Sequence, residues 1–360
     1  MPIRSDHTLC KRWLVFRLGH LGDVTLTTGV LDRFARDFGW TFVFVTKRPW
    51  AEIFIGNPHV ERVVILDEPD LRTVAFAARC QRLASEYRGR GLLDLHGSLR
   101  SLMLSAFWRG PVLRYPKMSL DRRIFLRTRA KANSARLLRA SVPQRYFMAA
   151  SPDFPPAGEL LPRIWLSDDE RYAARQRLDS LLGRGSAPVA LHPFATHSLK
   201  TWPKEHWRAF AALLEREGIP WLALGRGTPL FSDQTHDLSN ATSLRESCAL
   251  LSHCRALVSG DSGPMHLASA VGTPVVALFG PTTREWGFYP AGPRDRVLEN
   301  NLPCRPCSLH GLAACRRGGE CLAGIPPEKA LEALEQQARE AYVETTGKGG
   351  VLPKNAPPFS

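Results

Sequence analysis

Residues 13–39 run WLVFRLGHLGDVTLTTGVLDRFARDFG. The opening WLVF is apolar and suited to a strand, and the stretch from Thr25 repeats its apolar residues at helical spacing before ending on Gly39. A strand that passes through a tight turn into a helix is the unit from which parallel sheets are built. The turn here holds Gly19, Gly22 and the acid Asp23. Glycine allows backbone angles and close approaches that other residues resist. Asp23 has two readings at such a place. It is either a cap on the free N–H groups of the helix start or a carboxylate aimed at a ligand.

Working outward, the same rhythm continues. TFVFVT, RVVIL and GLLDLHG have the composition of strands, and LRTVAFAARCQRLASEYRG that of a helix. At 151–162 the text SPDFPPAGELLP is dense in proline and glycine and marks a linker. PVALHP, PWLALG, CRALVSG and TPVVALFG then supply further strands, with helical KEHWRAFAALLEREG and PMHLASAVG among them. The expected fold class is α/β, as two domains of similar size with a cleft between them: 1–155, then 163–345. The closing helix, PPEKALEALEQQAREAYVE, is a candidate to cross back to the first domain, and 346–360 is expected to be a disordered tail. A length of 360 residues suits two domains.

The chain carries a net charge of +14, unevenly spread. Between Phe107 and Tyr146 there are eleven Lys or Arg and a single acid, Asp121. Such a surplus is either a solvated face or a surface that seeks anions. An RRM or paired zinc-finger ligands are missing, so nucleic acid is not the expected partner. No apolar run approaches the roughly 20 residues that span a bilayer. MPIRSDHTLCKRW contains no apolar signal core, so a cytoplasmic location is expected.

In open α/β sheets ligands bind beyond the carboxyl ends of strands. Four polar stretches fall there: the turn with Gly22 and Asp23; DLHGSLRS, with Asp94, His96 and Arg100; HPFATHSLKTWP, with Thr196, Ser198 and Lys200; and GDSGPMH, with Asp261, Ser262, Gly263 and His266. The last opens a helix with proline in its first turn, a place proline favours. Free N–H groups there attract phosphate. Asp261 would repel phosphate and suits sugar hydroxyls instead. His266 is either a satisfied structural histidine or a site residue on that mouth. Lys200, among hydroxyls, could neutralise a departing diphosphate. Neither GxxxxGK[ST] nor GxGxxG is present.

Taken in order, these stretches resemble glycosyltransferase family 9, the lipopolysaccharide heptosyltransferases. RLGHLGDVTLTTGVL is similar to the family's R-L-x-x-L-G-D-V-x-x-T-x-P-x-L, and DLHGSLRS to D-L-Q-G-x-x-R-S. KTWPKEHW is similar to K-x-W-P-x-x-x-W, and GDSGPMHLASAVGTPVVALFGPT to the family's D-T-G-x-x-H-L-A-A-A-L-G pattern. The likeness runs from about Leu14 to Ala333. It implies two Rossmann-like domains of GT-B type, with the acceptor on the first and the nucleotide sugar on the second. It assigns Asp23 as the base and gives Lys200, Thr196 and the Asp261–His266 turn, with Ser198 nearby, to the donor. Gly22, Asp94, His96, Arg100, Arg122 and Arg123 fall on the expected acceptor side. The implied partners are ADP-heptose, an anionic lipid A–Kdo acceptor and the cytoplasmic membrane surface. No Asp-x-Asp motif is present, which agrees with metal-free transfer and no required cofactor. Three positions depart from the pattern. Gly29 stands for the family's proline, Ser262 for its threonine, and Arg226 lies where some members grip the ribose with an acid.

Cys304, Cys307, Cys315 and Cys321 form C-x2-C-x7-C-x5-C. Structural zinc, free thiols and disulfides remain open for them. Two rival functions also remain. One is a related transferase with another donor or acceptor, and the other a non-catalytic polyanion-binding protein. A dinucleotide oxidoreductase is disfavoured by the missing glycine fingerprint.

Overall fold

The computed structural model describes residues 10–231, 236–311 and 315–346. The expected tail from 347 onward lies outside them. In the first half, strands β1 (Arg12–Phe16), β2 (Thr41–Lys47), β3 (Val60–Leu66), β4 (Gly91–Asp94) and β5 (Val112–Arg114) alternate with helices α1 (Leu21–Phe38), α2 (Thr73–Glu86) and α3 (Leu99–Phe107). Three short helices follow: α4 (Ser119–Thr128), α5 (Lys131–Leu138) and α6 (Val142–Phe147). The second half carries α7 (Asp168–Leu182), β6 (Val189–His192), α8 (Lys204–Arg216), β7 (Trp221–Ala223), α9 (Leu244–Leu251), β8 (Ala256–Gly260), α10 (Gly263–Ala270), β9 (Val275–Phe279), β10 (Arg296–Glu299), α11 (Glu320–Ala323) and α12 (Pro327–Thr346).

Two five-stranded parallel sheets result, ordered β3-β2-β1-β4-β5 and β10-β9-β8-β6-β7. These are two Rossmann-like domains. The central strands are apolar along their whole length, as sheets covered on both faces require. Trp13–Phe16 and Val189–Leu191 are fully buried. In each sheet chain order reverses at one place: between β1 and β4 in the first, and between β6 and β8 in the second. Loops leave these neighbours in opposite directions and open a crevice there, the usual ligand position of such sheets.

The chain divides into two compact units, and the division departs from the sequence reading. Residues 120–138 group with the second unit rather than the first. Phe125 meets Trp286 edge-on at 6.2 Å, Ser134 donates to Glu285 at 3.0 Å, and Arg129 donates to the carbonyls of Cys304 and Pro306. A basic segment is held here by an aromatic anchor and buried carbonyls, which charge counting does not reveal. The closing helix also stays with its own unit. Gln337 of α12 donates to the carbonyls of Val275 and Arg294, and α12 packs along α8.

One family departure has a structural reason. A Cβ at Gly29 would lie 2.1 Å from the Leu161 carbonyl oxygen, so the chain entering the second unit passes directly over α1. Thr28 accepts from the Arg163 amide at 2.8 Å on the same face.

Candidate active site

At the switch point of the first sheet, Asp23 lies in the first turn of α1. It is not a cap. The helix begins after His20, and no side chain caps it. Instead the Asp23 carboxylate pairs with Arg17 Nη2 at 2.6 Å through Oδ2 and accepts from the Tyr146 hydroxyl at 3.1 Å through Oδ1. Arg17 is fixed in turn, donating to the carbonyls of Leu95 at 2.7 Å and Gly19 at 3.0 Å. Tyr146 arrives on α6, which is capped by Ser141 and packs on α1 through stacking of Phe147 on Phe34 at 5.0 Å. Tyr115 packs against the Tyr146 ring at 4.9 Å.

These contacts set protonation states. Burial alone would raise the Asp23 pKa. Arg17, His20 and the Tyr146 hydroxyl outweigh it, and the carboxyl sits below the ordinary aspartate value. Burial, with Asp23 beside it, holds the Tyr146 phenol far above its usual range against the pull of Arg17. An ionised carboxylate therefore faces a protonated phenol and a permanent cation.

Beyond β4, Asp94 is fully buried. Its carboxylate takes Arg114 at 2.6 Å and the amides of His96 and Gly97 at 3.0 and 2.9 Å. It shapes the turn that presents His96. Burial first, then Arg17 and Lys117, drive the His96 pKa down to about 4, so the ring is neutral at pH 7. Arg100 reaches the Leu71 carbonyl at 3.3 Å, and Gly22 lies in the first turn of α1. The structure thus brings Gly22, Asp23, Asp94 and His96 to one sheet edge. Arg122 and Arg123 lie instead on α4, in the second unit.

The second switch point repeats the plan with other residues. Lys200 Nζ pairs with Asp261 Oδ2 at 2.5 Å, and Thr282 donates to the same oxygen at 2.7 Å. Gly260 makes this possible, because a Cβ there would meet the Lys200 carbonyl oxygen at 2.8 Å. Ser262 precedes α10 but does not cap it. Its hydroxyl lies 3.1 Å from Ser259 Oγ and 3.4 Å from His192 Nδ1. Burial lowers the His192 pKa to about 4, leaving a neutral ring under the helix mouth. His266 is buried near Phe288. Thr196 and Ser198 line a cavity of about 910 Å³ with Thr201, Gly311 and Cys315. A diphosphate-sized anion fits the chemistry of this mouth: an uncapped helix N-terminus beside one lysine.

The cysteine loop walls the same cavity. All four thiols are free. Among the described residues no three His, Cys, Asp or Glu side chains gather to hold a metal. Burial raises the Cys307 and Cys321 pKa values, which favours neutral thiols.

Arg17, Tyr146, Thr282 and His192 were not singled out from sequence. Arg17 borders the turn and could have been. Tyr146 lies 123 residues from Asp23 and carries no local signal.

Known proteins are similar to this chain in sequence and in fold. A lipopolysaccharide heptosyltransferase 1 from Pseudomonas aeruginosa is 28% identical over 325 residues, covering 82% of this chain and 86% of that protein. A lipooligosaccharide heptosyltransferase 2 from Haemophilus influenzae is 29% identical over 155 residues, 38% of this chain and 43% of that protein. In fold, the chain is similar to an ADP-heptose lipopolysaccharide heptosyltransferase II from Escherichia coli. The TM-score is 0.67 at 18% identity, covering 92% of this chain and 99% of the other. The family model described as glycosyltransferase family 9 (heptosyltransferase) matches residues 83–312, a span that includes the second switch point and the β4 turn. With acid–cation pairs at both switch points and that match across most of its length, the chain belongs to glycosyltransferase family 9 and is a glycosyltransferase.

Proposed function

We propose that the chain transfers a heptose from ADP-heptose to the inner core of lipopolysaccharide, with inversion and without a catalytic metal. The acceptor in this reading is Kdo–lipid A or its heptosylated form, met at the inner face of the cytoplasmic membrane. The observation that carries it is Asp23, an ionised carboxylate fixed between Arg17 and Tyr146 at a switch point.

In the transfer step the acceptor hydroxyl oxygen attacks the anomeric carbon and gives its proton to Asp23. The bond from that carbon to the β-phosphate oxygen breaks, and ADP leaves with the electron pair. A single displacement of this kind inverts the anomeric centre. Placed general bases typically contribute 10²–10⁴-fold. Lys200 and the N-terminus of α10 stabilise charge growing on the diphosphate, the place where fixed electrostatics count most. Asp261, released from Lys200, is free to accept from sugar hydroxyls. The names of the similar proteins, heptosyltransferases of lipopolysaccharide and lipooligosaccharide, support donor and acceptor alike.

Arg226 follows β7 and is exposed, which favours testing other nucleotides alongside adenine. Purified enzyme, Kdo2–lipid A and a panel of ADP- and UDP-sugars should yield one product by mass spectrometry, a heptose adduct formed from ADP-heptose. A different adduct moves the reading to another donor. A panel that yields no adduct from any sugar overturns this pairing of donor and acceptor.

A further inference from the structure

Among the described residues, eleven large apolar side chains are exposed, and eight of them lie between Val74 and Leu138. The same stretch holds fourteen Lys and Arg against three acids, Glu86, Asp94 and Asp121, and so carries most of the chain's net charge of +14. Apolar exposure and positive charge coincide, although nothing in folding requires it. Scattered exposed leucines are ordinary. Concentration among arginines is not.

Two helices show the pattern most clearly, each within its own unit. On α4, Phe125 turns inward to Trp286. The outward positions are Leu120, 70% exposed, Ile124, 36% exposed, and the exposed Arg123 and Arg127. They fall at i, i+3, i+4 and i+7, which is one helical face. The one acid of α4, Asp121, is paired with Arg136 at 3.1 Å and accepts from Asn133 at 2.9 Å. On α3, Leu99 is 84% exposed and Leu102 47% exposed, with Arg100 between them. Arg100 reaches the Leu71 carbonyl, which brings the start of α3 beside the start of α2, where Val74 is 85% exposed.

We propose that the outward face of α4 docks on an anionic bilayer, with Leu120 and Ile124 entering the headgroup–acyl boundary and Arg123 and Arg127 meeting the headgroups. The inference rests on the lipid-acceptor reading above and names the surface that reading requires. Aliphatic residues flanked by long basic ones suit this boundary, because arginine stems lie along the apolar layer while their heads reach phosphates. A nucleic acid would call for stacking aromatics in place of leucine and isoleucine. No helix among the described residues is long and apolar enough to cross a membrane, so docking, not spanning, is the mode available to these helices.

The test is co-sedimentation of the full chain with vesicles of phosphatidylglycerol and phosphatidylcholine, compared with phosphatidylcholine alone, at low and high salt. Wild type should bind the anionic vesicles. Leu120→Gln with Ile124→Gln should lower the partition coefficient about a hundredfold at both salt levels, since the burial of both apolar side chains is lost. Arg123→Gln with Arg127→Gln should lower it about thirtyfold at low salt and far less at high salt, where the attraction of arginine for anionic lipid is screened. Leu120→Trp should strengthen binding, which guards against a fold defect being mistaken for lost docking. The Leu120/Ile124 variant should keep full turnover on a de-acylated acceptor. Failure of wild type to bind, or binding indifferent to Leu120 and Ile124, overturns the proposal. If transfer to the de-acylated acceptor persists while binding fails, the docking inference alone falls. If no donor is ever turned over, the functional reading falls instead.

Discussion

Asp23 and Asp261 are each a largely buried carboxylate with one cation, at 2.6 and 2.5 Å. What differs is how the cation is held. Arg17 is tied to two backbone carbonyls, and Tyr146 closes the other side of Asp23. Lys200 ends a single short turn, Ser198–Lys200, on a flexible four-carbon stem. Arginine is a rigid fork that holds a geometry, whereas lysine is a compact charge that readily changes partners. In the proposed transfer the first pair stays in place and the second is exchanged when a diphosphate arrives. On that reading one switch point orients a base and the other receives a leaving group.

The largest expected effect comes from Asp23→Asn. Turnover should fall about 10²–10⁴-fold, the range of a lost general base. The substitution also leaves the Arg17 charge buried without its partner, which typically costs about 3–5 kcal/mol. Rates should therefore be read well below the variant's melting temperature. Near-normal turnover in a folded variant would reduce Asp23 to a structural partner of Arg17.

A smaller effect should follow from Tyr146→Phe, which removes one hydrogen bond and keeps the ring. That bond helps hold the Asp23 pKa down, so its loss should raise the pKa. The acid limb of kcat/KM should move to higher pH, and kcat should drop about tenfold by the scale of one hydrogen bond to a charged group. Donor KM should not change. An unmoved acid limb in a folded variant would separate Tyr146 from the base.

The smallest effect concerns stability. His96 and His192 have folded pKa values near 4, below the usual 6.5. Between those values the unfolded chain binds more protons than the folded one, so stability falls as pH drops from about 6.5 toward 4. His192→Gln should flatten this slope by several degrees of Tm between pH 7 and pH 5. Equal slopes in variant and wild type would mean that His192 is charged or exposed.

Both sheets were legible in the strand–helix rhythm because their inner strands are unbroken apolar runs. WLVF and PVALHP became β1 and β6 almost residue for residue. The edge strands β5 and β10 were not, since three or four half-exposed residues make no pattern. Asp23, Lys200 and Asp261 stood out because turns after strands are few and polar residues there are conspicuous. Their partners did not, because Tyr146 and Thr282 reach the carboxylates through tertiary packing alone. The unit that holds residues 120–138 was hidden for the same reason: their charge is visible in the text, but the contact of Phe125 with Trp286 is not.

The division of labour between the two carboxylates is tested most directly by calorimetric titration of ADP into Asp23→Asn and Lys200→Ala, beside single-turnover rates for both. Asp23→Asn should bind ADP like wild type and fail in the chemical step. Lys200→Ala should bind ADP at least about tenfold more weakly, the loss of one charge-assisted contact. ADP affinity that collapses in Asp23→Asn yet is unchanged in Lys200→Ala would contradict the account.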